Sequence, residues 1–577
     1  MMQKTIIKQR LYDDSIIWQE SVHPLLQRIY SARNINPQSK LDLSLKDLLP
    51  PDNLKNVHQA AALLGDFLIA NKSMMIIGDF DADGATSTAL MKTALEQMGA
   101  NKVSYLVPNR FEYGYGLTPG IVEEAILLKP ELIITVDNGI SSHEGVALAR
   151  KNNISVLITD HHLQGSTLPD ANVIVNPNQL GDKFVSKSLA GVGVVFYILI
   201  ALRQYLRDIN WFKQQSIAEP VLANYLDIVA LGTVADVVPL DHNNRILVSE
   251  GLKRIRANKC VPGITALLEA SGRIPSKALA TDLGFAVGPR LNAAGRLDDM
   301  SVGIECLLSD QTTAKKIAFK LDVLNQQRRS IEADMKSEAL AFLDKMNVVA
   351  DSIYGLVMFD ENWHQGVIGI LASRVKDKIH RPVIIFAPGD LGEIKGSCRS
   401  IKGIHIRDVL EAISTQHPNL IKKFGGHAMA AGLTINHKDF DTFHEFFNQQ
   451  VERVATEDIL QNDILTDGQL ALEEFTLDVA NMINDAGPWG QEFPEPVFSG
   501  IFEVVTQRVL KDKHYKLVLS PDGQQEFCID AIAFNQIDEN TIKTELPSQI
   551  EVAYKLSIND YRGQRSLQLM IEHIMAA

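Results

Sequence analysis

The chain has 577 residues, 46% of them hydrophobic and 22% charged, which is material for several buried cores and excludes wholesale disorder. Lys plus Arg number 56 against 70 Asp plus Glu, and the net charge of −14 argues against a general nucleic-acid-coating protein, which needs a broad basic excess. Four scattered cysteines (Cys260, Cys306, Cys398, Cys528) give no zinc spacing and no disulfide framework. An N-terminus without an apolar h-region, and no apolar run near about 18 residues, predict a soluble, cytoplasmic protein without a membrane span.

Residues 1–50 read as an N-terminal extension. From 74 to 176, β-branched runs at 74–78, 103–107, 132–136, 155–159 and 172–176 alternate with helix-patterned stretches at 85–98, 119–128 and 143–151. That alternation predicts right-handed βαβ units and a buried parallel sheet. Chemistry in such sheets gathers beyond the carboxyl ends of the strands. Residues 188–300 read as mainly helical, with a Gly-Val-Gly entry at 191–193 and the segment ALGTVADVVPL at 230–240. A long charged helix over 312–346, with a partial apolar face of Ile317, Leu321, Leu324, Ile331 and Met335, reads as a connection between domains, with a surface helix of one domain as the alternative. A second α/β region follows, with strands near 355–359 and 383–386. The Pro/Gly-rich GPWGQEFPEPVF marks a boundary at 487–498. Five strand-like runs at 501–506, 515–519, 528–534, 550–558 and 566–571 then suit a small β-barrel.

The first of these strands runs out into Gly78-Asp79-Phe80-Asp81-Ala82-Asp83-Gly84. Carboxylates this close raise one another's pKa unless a cation neutralises them. An EF-hand reading fails, because position twelve from Asp79 is Leu90 and not Glu. A capped turn without metal is the plain alternative. The third strand ends in Val136-Asp137-Asn138-Gly139 and the fourth in Thr159-Asp160-His161-His162, while Asp236 follows an apolar helix in Thr233-Val234-Ala235-Asp236. Each has an ordinary structural reading by itself. Together, oxygen and imidazole donors at successive strand ends describe a site for two divalent cations, and a set without thiolate suits Mn2+ or Mg2+.

In that order, Asp79/Asp81/Asp83, Asp137, Asp160-His161-His162 and Asp236 resemble the first four motifs of the DHH phosphoesterase superfamily. GPRLNAAGR (288–296), WHQGVIGILASR (363–374), GSCRS (396–400), GGHAMAAG (425–432) and GPWGQEFPEP (487–496) resemble the RecJ exonucleases within it. The resemblance implies an α/β protein in four parts after the extension. These are a parallel-sheet DHH catalytic domain (51–305), a long connecting helix (306–348), a smaller α/β DHHA1-type substrate-binding domain (349–455) and a C-terminal OB-fold β-barrel (456–577). It further implies a metal-dependent 5′→3′ exonuclease that releases 5′ mononucleotides from single-stranded DNA in DNA repair and recombination. A single-strand-binding protein and a DNA helicase are the implied partners.

Carried across residue by residue, the resemblance gives one cation to Asp79, Asp81 and Asp137 and the other to Asp83, Asp137, His161 and Asp236. His162 would face the scissile phosphate and Asp160 would orient the histidines. Arg290, Asn292 and Arg296 are candidate phosphate contacts, with a helix cap and structural salt bridges as the alternative. Ser397, Arg399 and the Gly425-Gly426-His427 turn read as an anion nest for a terminal 5′ phosphate, with Arg110 and His364 reaching the same group and a buried structural histidine as the alternative for His427. Tyr113 and Tyr115 stack on bases or simply pack. Lys511, Lys513, His514, Lys516, Arg562 and Arg565 give the barrel local positive charge. Two other readings remain: a DHH phosphodiesterase for short oligonucleotides, and a non-catalytic replication scaffold. The barrel and long helix weigh against the first, and the intact donor set against the second.

Overall fold

The computed structural model describes residues 5–35, 37, 41–109, 113, 115–345, 353–521, 523, 526–537, 545–561 and 563–576. The chain folds as two compact units. One comprises Leu11–Asn325 and the chain from Asp467 onward; the other comprises the chain up to Arg10 and Gln326–Thr466.

Strand β1 (Ile6–Gln9) belongs to the second unit and is taken up below. The first unit holds β2 (Met74–Gly78), β3 (Val103–Leu106), β4 (Leu132–Val136), β5 (Ser155–Thr159) and β6 (Val173–Val175). Their order is β3-β2-β4-β5-β6 and every neighbour is parallel. The near-continuous apolar runs are explained by burial on both faces. Met74, Ile76, Ile134 and Leu157 enter one core cluster, while Met75, Ile77, Ile133 and Ile158 enter another. This strand order reverses direction between β2 and β4, the topological switch point at which doubly wound sheets bind ligands.

The second unit carries β7 (Leu356–Phe359), β8 (Val383–Pro388), β9 (Glu393–Arg399), β10 (Lys423–Gly426) and β11 (Ala430–Asn436), ordered β10-β11-β9-β8-β7. Only β7 and β8 run parallel. A separate parallel pair joins β1 to β12 (Asp463–Thr466). Sequence patterning found β7 and β8 and missed β9 to β11, whose glycines have weak strand propensity. Gly396 is required by packing: a Cβ there would come within 2.6 Å of both Phe386 and Leu433.

The 35-residue helix Gln311–Lys345 spans the division between the units at Asn325/Gln326. Its expected apolar face serves two cores. Ile317, Leu321 and Leu324 pack with the first unit, and Ile331 and Met335 with the second.

In the first unit, β13 (Phe498–Leu510), β14 (His514–Ser520), β15 (Ile529–Ala533), β16 (Gln549–Tyr561) and β17 (Gln564–Ala576) close into a barrel. The five expected strands are present, and β13, β16 and β17 are 13 residues long. The barrel shares a continuous core with the parallel-sheet region through Trp489, Phe493 and Leu240.

Candidate metal centre

The carboxyl end of β2 places Asp79 and Asp81 directly before the helix Ala82–Gln97. Asp81 caps that helix, its Oδ1 accepting from the N–H groups of Asp83 (2.9 Å) and Gly84 (3.0 Å). Asn292 Oδ1 accepts from Ala82 N at 2.8 Å. Gly295 lies so tight against the Phe80 carbonyl that no Cβ would fit there. The helix Gly288–Leu297 thus holds the aspartate loop from outside.

Asp137 follows β4 in a left-handed conformation (φ 63°), which Asp tolerates better than most residues. The Asn138 side chain fixes the turn by donating to the carbonyls of Val136 and Ile77. Asp236 closes the helix Leu226–Ala235, and the next residue, Val237, has φ 61°. A β-branched residue there is strained, and the chain turns away sharply just beyond the Asp236 carboxylate.

Three groups of donor atoms result, each within 4.8 Å: Asp79, Asp81 and Asp137; Asp83, His161 and Asp236; and Asp137, His161 and His162. His161 Nε2 lies 3.0 Å from Asp137 Oδ1, 3.5 Å from Asp236 Oδ2 and 3.9 Å from Asp83 Oδ2. Asp137 Oδ1, Asp236 Oδ2 and His161 Nε2 are buried yet make no well-formed hydrogen bond. Burial and then Asp236 push Asp83 up to about 7; burial and then Asp81 push Asp236 up to about 8. Burial and Asp83 raise Asp137 well above the carboxylate range. Buried oxygens this starved of positive charge, beside an imidazole nitrogen, fit a pair of divalent cations.

Asp160 is fully buried behind this group. Its Oδ1 sits 2.7 Å from His162 Nδ1 and accepts from the N–H groups of His161 and His162; its Oδ2 accepts from Ile140 N. Burial alone would raise the Asp160 carboxyl, but the His162 and His161 imidazoles and the Ile140 N–H together hold it at about 2. Burial opposes protonation of His162, and Asp160 overrides that to lift it to about 9. The Tyr115 hydroxyl lies 3.2 Å from both His162 Nδ1 and the Asp137 carbonyl, a contact that sequence reasoning did not single out.

The Gly-Val-Gly entry also has its explanation here. The N–H groups of Gly191 (2.6 Å) and Val192 (3.0 Å), at the start of the helix Gly191–Asp208, both donate to the Asp83 carboxylate.

The candidate phosphate residues divide. Arg290 is buried and committed: Nε and Nη2 reach Asp322 Oδ1 at 2.9 and 2.6 Å, and Nη1 donates to the Ala286 carbonyl. These contacts favour the salt-bridge alternative for Arg290 over a phosphate contact. Asn292 supports the aspartate loop through its Oδ1. Arg296 lies half-buried on the last turn of its helix. Arg110 lies outside the described residues.

In the second unit, Ser397 and Arg399 share one face of β9, where Arg399 Nη1 donates to Ser397 Oγ (3.1 Å) and to the Cys398 carbonyl. Both approach Gly369, near the start of the helix Ile368–Ile379. His364 precedes that helix, its Nδ1 accepting from Gly366 N. Gly425 and Gly426 do not form a nest-like turn: they are strand residues of β10, opposite Gly432 and Ala431, with His427 N bonded to the Ala430 carbonyl.

Family models match in the same order along the chain: the DHH family N-terminal domain at 73–233, the DHHA1 domain at 347–453 and the RecJ OB domain at 466–573. Over 576 residues the chain is 50% identical to the single-stranded-DNA-specific exonuclease RecJ of Salmonella typhimurium, covering 100% of both. The chain belongs to the RecJ family. Crystal structures of RecJ from Thermus thermophilus in complex with Mn2+ (TM-score 0.78, 30% identity, 96% of this chain and 76% of that one) and with Mg2+ (TM-score 0.72, 27% identity, 96% and 74%) share its fold. The oxygen and imidazole cluster at the switch point is therefore the metal-binding candidate of a RecJ-family hydrolase.

Proposed function

We propose that the chain is a metal-dependent exonuclease that hydrolyses single-stranded DNA in the 5′→3′ direction and releases 5′ mononucleotides. The observation that carries this reading is the convergence of Asp79, Asp81, Asp83, Asp137, His161 and Asp236 on one buried cluster in a chain 50% identical to an exonuclease over its full length. Asp79, Asp81 and Asp137 would hold one cation, Mn2+ or Mg2+, and Asp83, Asp137, His161 and Asp236 the other. Two such cations lower the pKa of bound water and neutralise charge on the attacking and leaving oxygens.

The protein's own part is positioning and proton supply. Asp81 caps its helix and so fixes the loop that carries Asp79 and Asp83. Asp160 engages His162 Nδ1 and charges the imidazole, whose Nε2, 3.3 Å from the Tyr115 hydroxyl, would donate its proton to a phosphate oxygen. Arg399 and Ser397 would read the terminal 5′ phosphate from β9, supported by His364, Gly425, Gly426 and His427, and Arg296 would hold an internal phosphate. We extend the reading to the cytoplasm and to DNA repair and recombination, with a helicase and a single-strand-binding protein supplying the substrate. No described helix is long and apolar enough to cross a membrane.

The test compares a long single strand with a dinucleotide, using wild type and Asp137→Ala, with and without chelator. Preferred, Mn2+-dependent cleavage of the long strand supports the reading. Preference for the dinucleotide would return the chain to the short-oligonucleotide phosphodiesterases. In the same assay, Arg399→Ala should lose more on 5′-phosphorylated than on 5′-hydroxyl ends, and an equal loss would make Arg399 structural.

A further inference from the structure

Arg245 lies on the helix His242–Arg256 and is only 5% exposed. Its guanidinium sits 4.3 Å over the ring of Phe493, on which Trp489 stacks at 4.9 Å. Among the described residues its side chain makes no ion pair and donates no hydrogen bond, and its Nε is buried and unsatisfied. Nearly all buried polar groups in folded proteins are partnered, and a buried guanidinium without a counter-charge is costly.

The contrast with Arg33, which lines the same cavity, is direct. Arg33 is held by both oxygens of Asp467 (2.7 and 3.1 Å) and by the carbonyls of Ile29 and Pro494. Nothing equivalent meets Arg245. Asp241, also in the wall, and Tyr30 attract the guanidinium from a distance without bonding it, and both Asp241 oxygens are engaged by Asn244 N and the Ser186 hydroxyl. Glu492 is exposed at the rim, and His242 is the remaining titratable group. The cavity measures about 360 Å³, within the range of about 300–1,000 Å³ typical of small-molecule sites.

We propose that this cavity is a phosphate-binding site in which the Arg245 fork takes two oxygens of one phosphate group. Planar, bidentate pairing with phosphate is the interaction for which guanidinium is best shaped. Phe493 holds the fork in place, and the fixed pair Arg33–Asp467 forms a neutral wall. The phosphate has two possible sources, a free 5′ mononucleotide or a backbone phosphate of a bound strand. That choice of sources rests on the exonuclease reading; the anion site itself does not.

The test is calorimetric titration of the full chain, without added divalent cation, by inorganic phosphate, a 5′ deoxymononucleotide and a short 5′-hydroxyl single strand. Arg245→Met should weaken phosphate binding about 10- to 100-fold, the scale of charge-assisted hydrogen bonds. Arg245→Lys should lose less, and both losses should persist in an Arg399→Ala background, which removes the other phosphate candidate. In phosphate-free buffer Arg245→Met should melt no lower than wild type, because it removes a buried guanidinium that makes no hydrogen bond or ion pair. Tighter binding of the mononucleotide identifies a product site, and tighter binding of the strand a backbone site. Absence of phosphate binding in the wild type, or wild-type affinity in both folded Arg245 variants, would overturn the proposal. Failure of the exonuclease reading would appear separately, as a wild-type protein that binds phosphate here but cleaves no strand with Mn2+.

Discussion

Gly191 is packed against Asp137 so closely that a Cβ on residue 191 would stand 2.7 Å from the Asp137 Cβ and 2.9 Å from its Oδ1. The same glycine donates its N–H to Asp83. One backbone position therefore bears on both proposed cation sites. Gly191→Ala should push the Asp137 carboxylate out of line and lengthen the bond to Asp83. Overpacking of this kind costs about 1–3 kcal/mol, and displaced ligand support typically costs about 10–100-fold in metal affinity. Calorimetric Mn2+ titration of the folded variant checks it; wild-type affinity would separate Gly191 from the metal centre.

The raised carboxyls make a prediction about pH. Asp83 (about 7) and Asp236 (about 8) both lie above their ordinary value in the metal-free fold. The unfolded chain releases these protons first as pH rises, so metal-free stability falls between about pH 4 and the two raised values. Cations bind the deprotonated carboxylates and remove that penalty. The Mn2+-induced rise in melting temperature should therefore grow steadily from about pH 5 to about pH 8. A Mn2+ effect independent of pH would mean that these carboxylates are not the ligands.

Much of this centre was legible in sequence, because a parallel sheet delivers residues to one edge by topology alone. An apolar run followed by Asp identifies both a strand and its carboxyl end, and Asp79, Asp137 and Asp160 follow that rule. Asp236 was legible by type and order, but its contribution depends on helix packing that periodicity does not encode. Strands β9 to β11 escaped because glycines at 396, 425, 426 and 432 read as turns. Their role emerges only when Phe386 and Leu433 are seen against Gly396. Arg290 is ambiguous in sequence for a related reason. An arginine in a Gly/Ala-rich segment suits a phosphate, and its partner Asp322 lies 32 residues away on another helix.

That pairing gives a separable prediction. Arg290→Ala leaves Asp322 without its guanidinium in a largely buried setting, and breaking such a pair typically costs about 3–5 kcal/mol. Urea unfolding should show the loss, while KM for a single strand at a permissive temperature stays near wild type. A raised KM with unchanged stability would restore Arg290 to the substrate path.

Asp160→Asn tests how the histidines are held. The amide keeps an acceptor for the N–H groups of His161 and His162 but removes the charge that lifts His162 to about 9. In the metal-free wild type, the ion pair's contribution from His162 is complete below its unfolded pKa of about 6.5 and is lost as pH rises through about 9. The contribution from Asp160 is present above about 3.8 and is lost as pH falls through about 2. The pair therefore supports the fold most between about pH 4 and 6.5, and the stability deficit of Asp160→Asn should be greatest there. The His162 imidazole resonance should titrate below its wild-type midpoint, since burial then acts unopposed by the carboxylate. Activity should fall about 10–100-fold, the usual cost of losing the partner that orients a metal-site histidine. The loss should be far smaller than for Asp137→Ala, which removes the carboxylate shared by two donor groups. If the His162 midpoint stayed at its wild-type value, Asp160 would not be what charges the imidazole, and proton supply from Nε2 would need another origin.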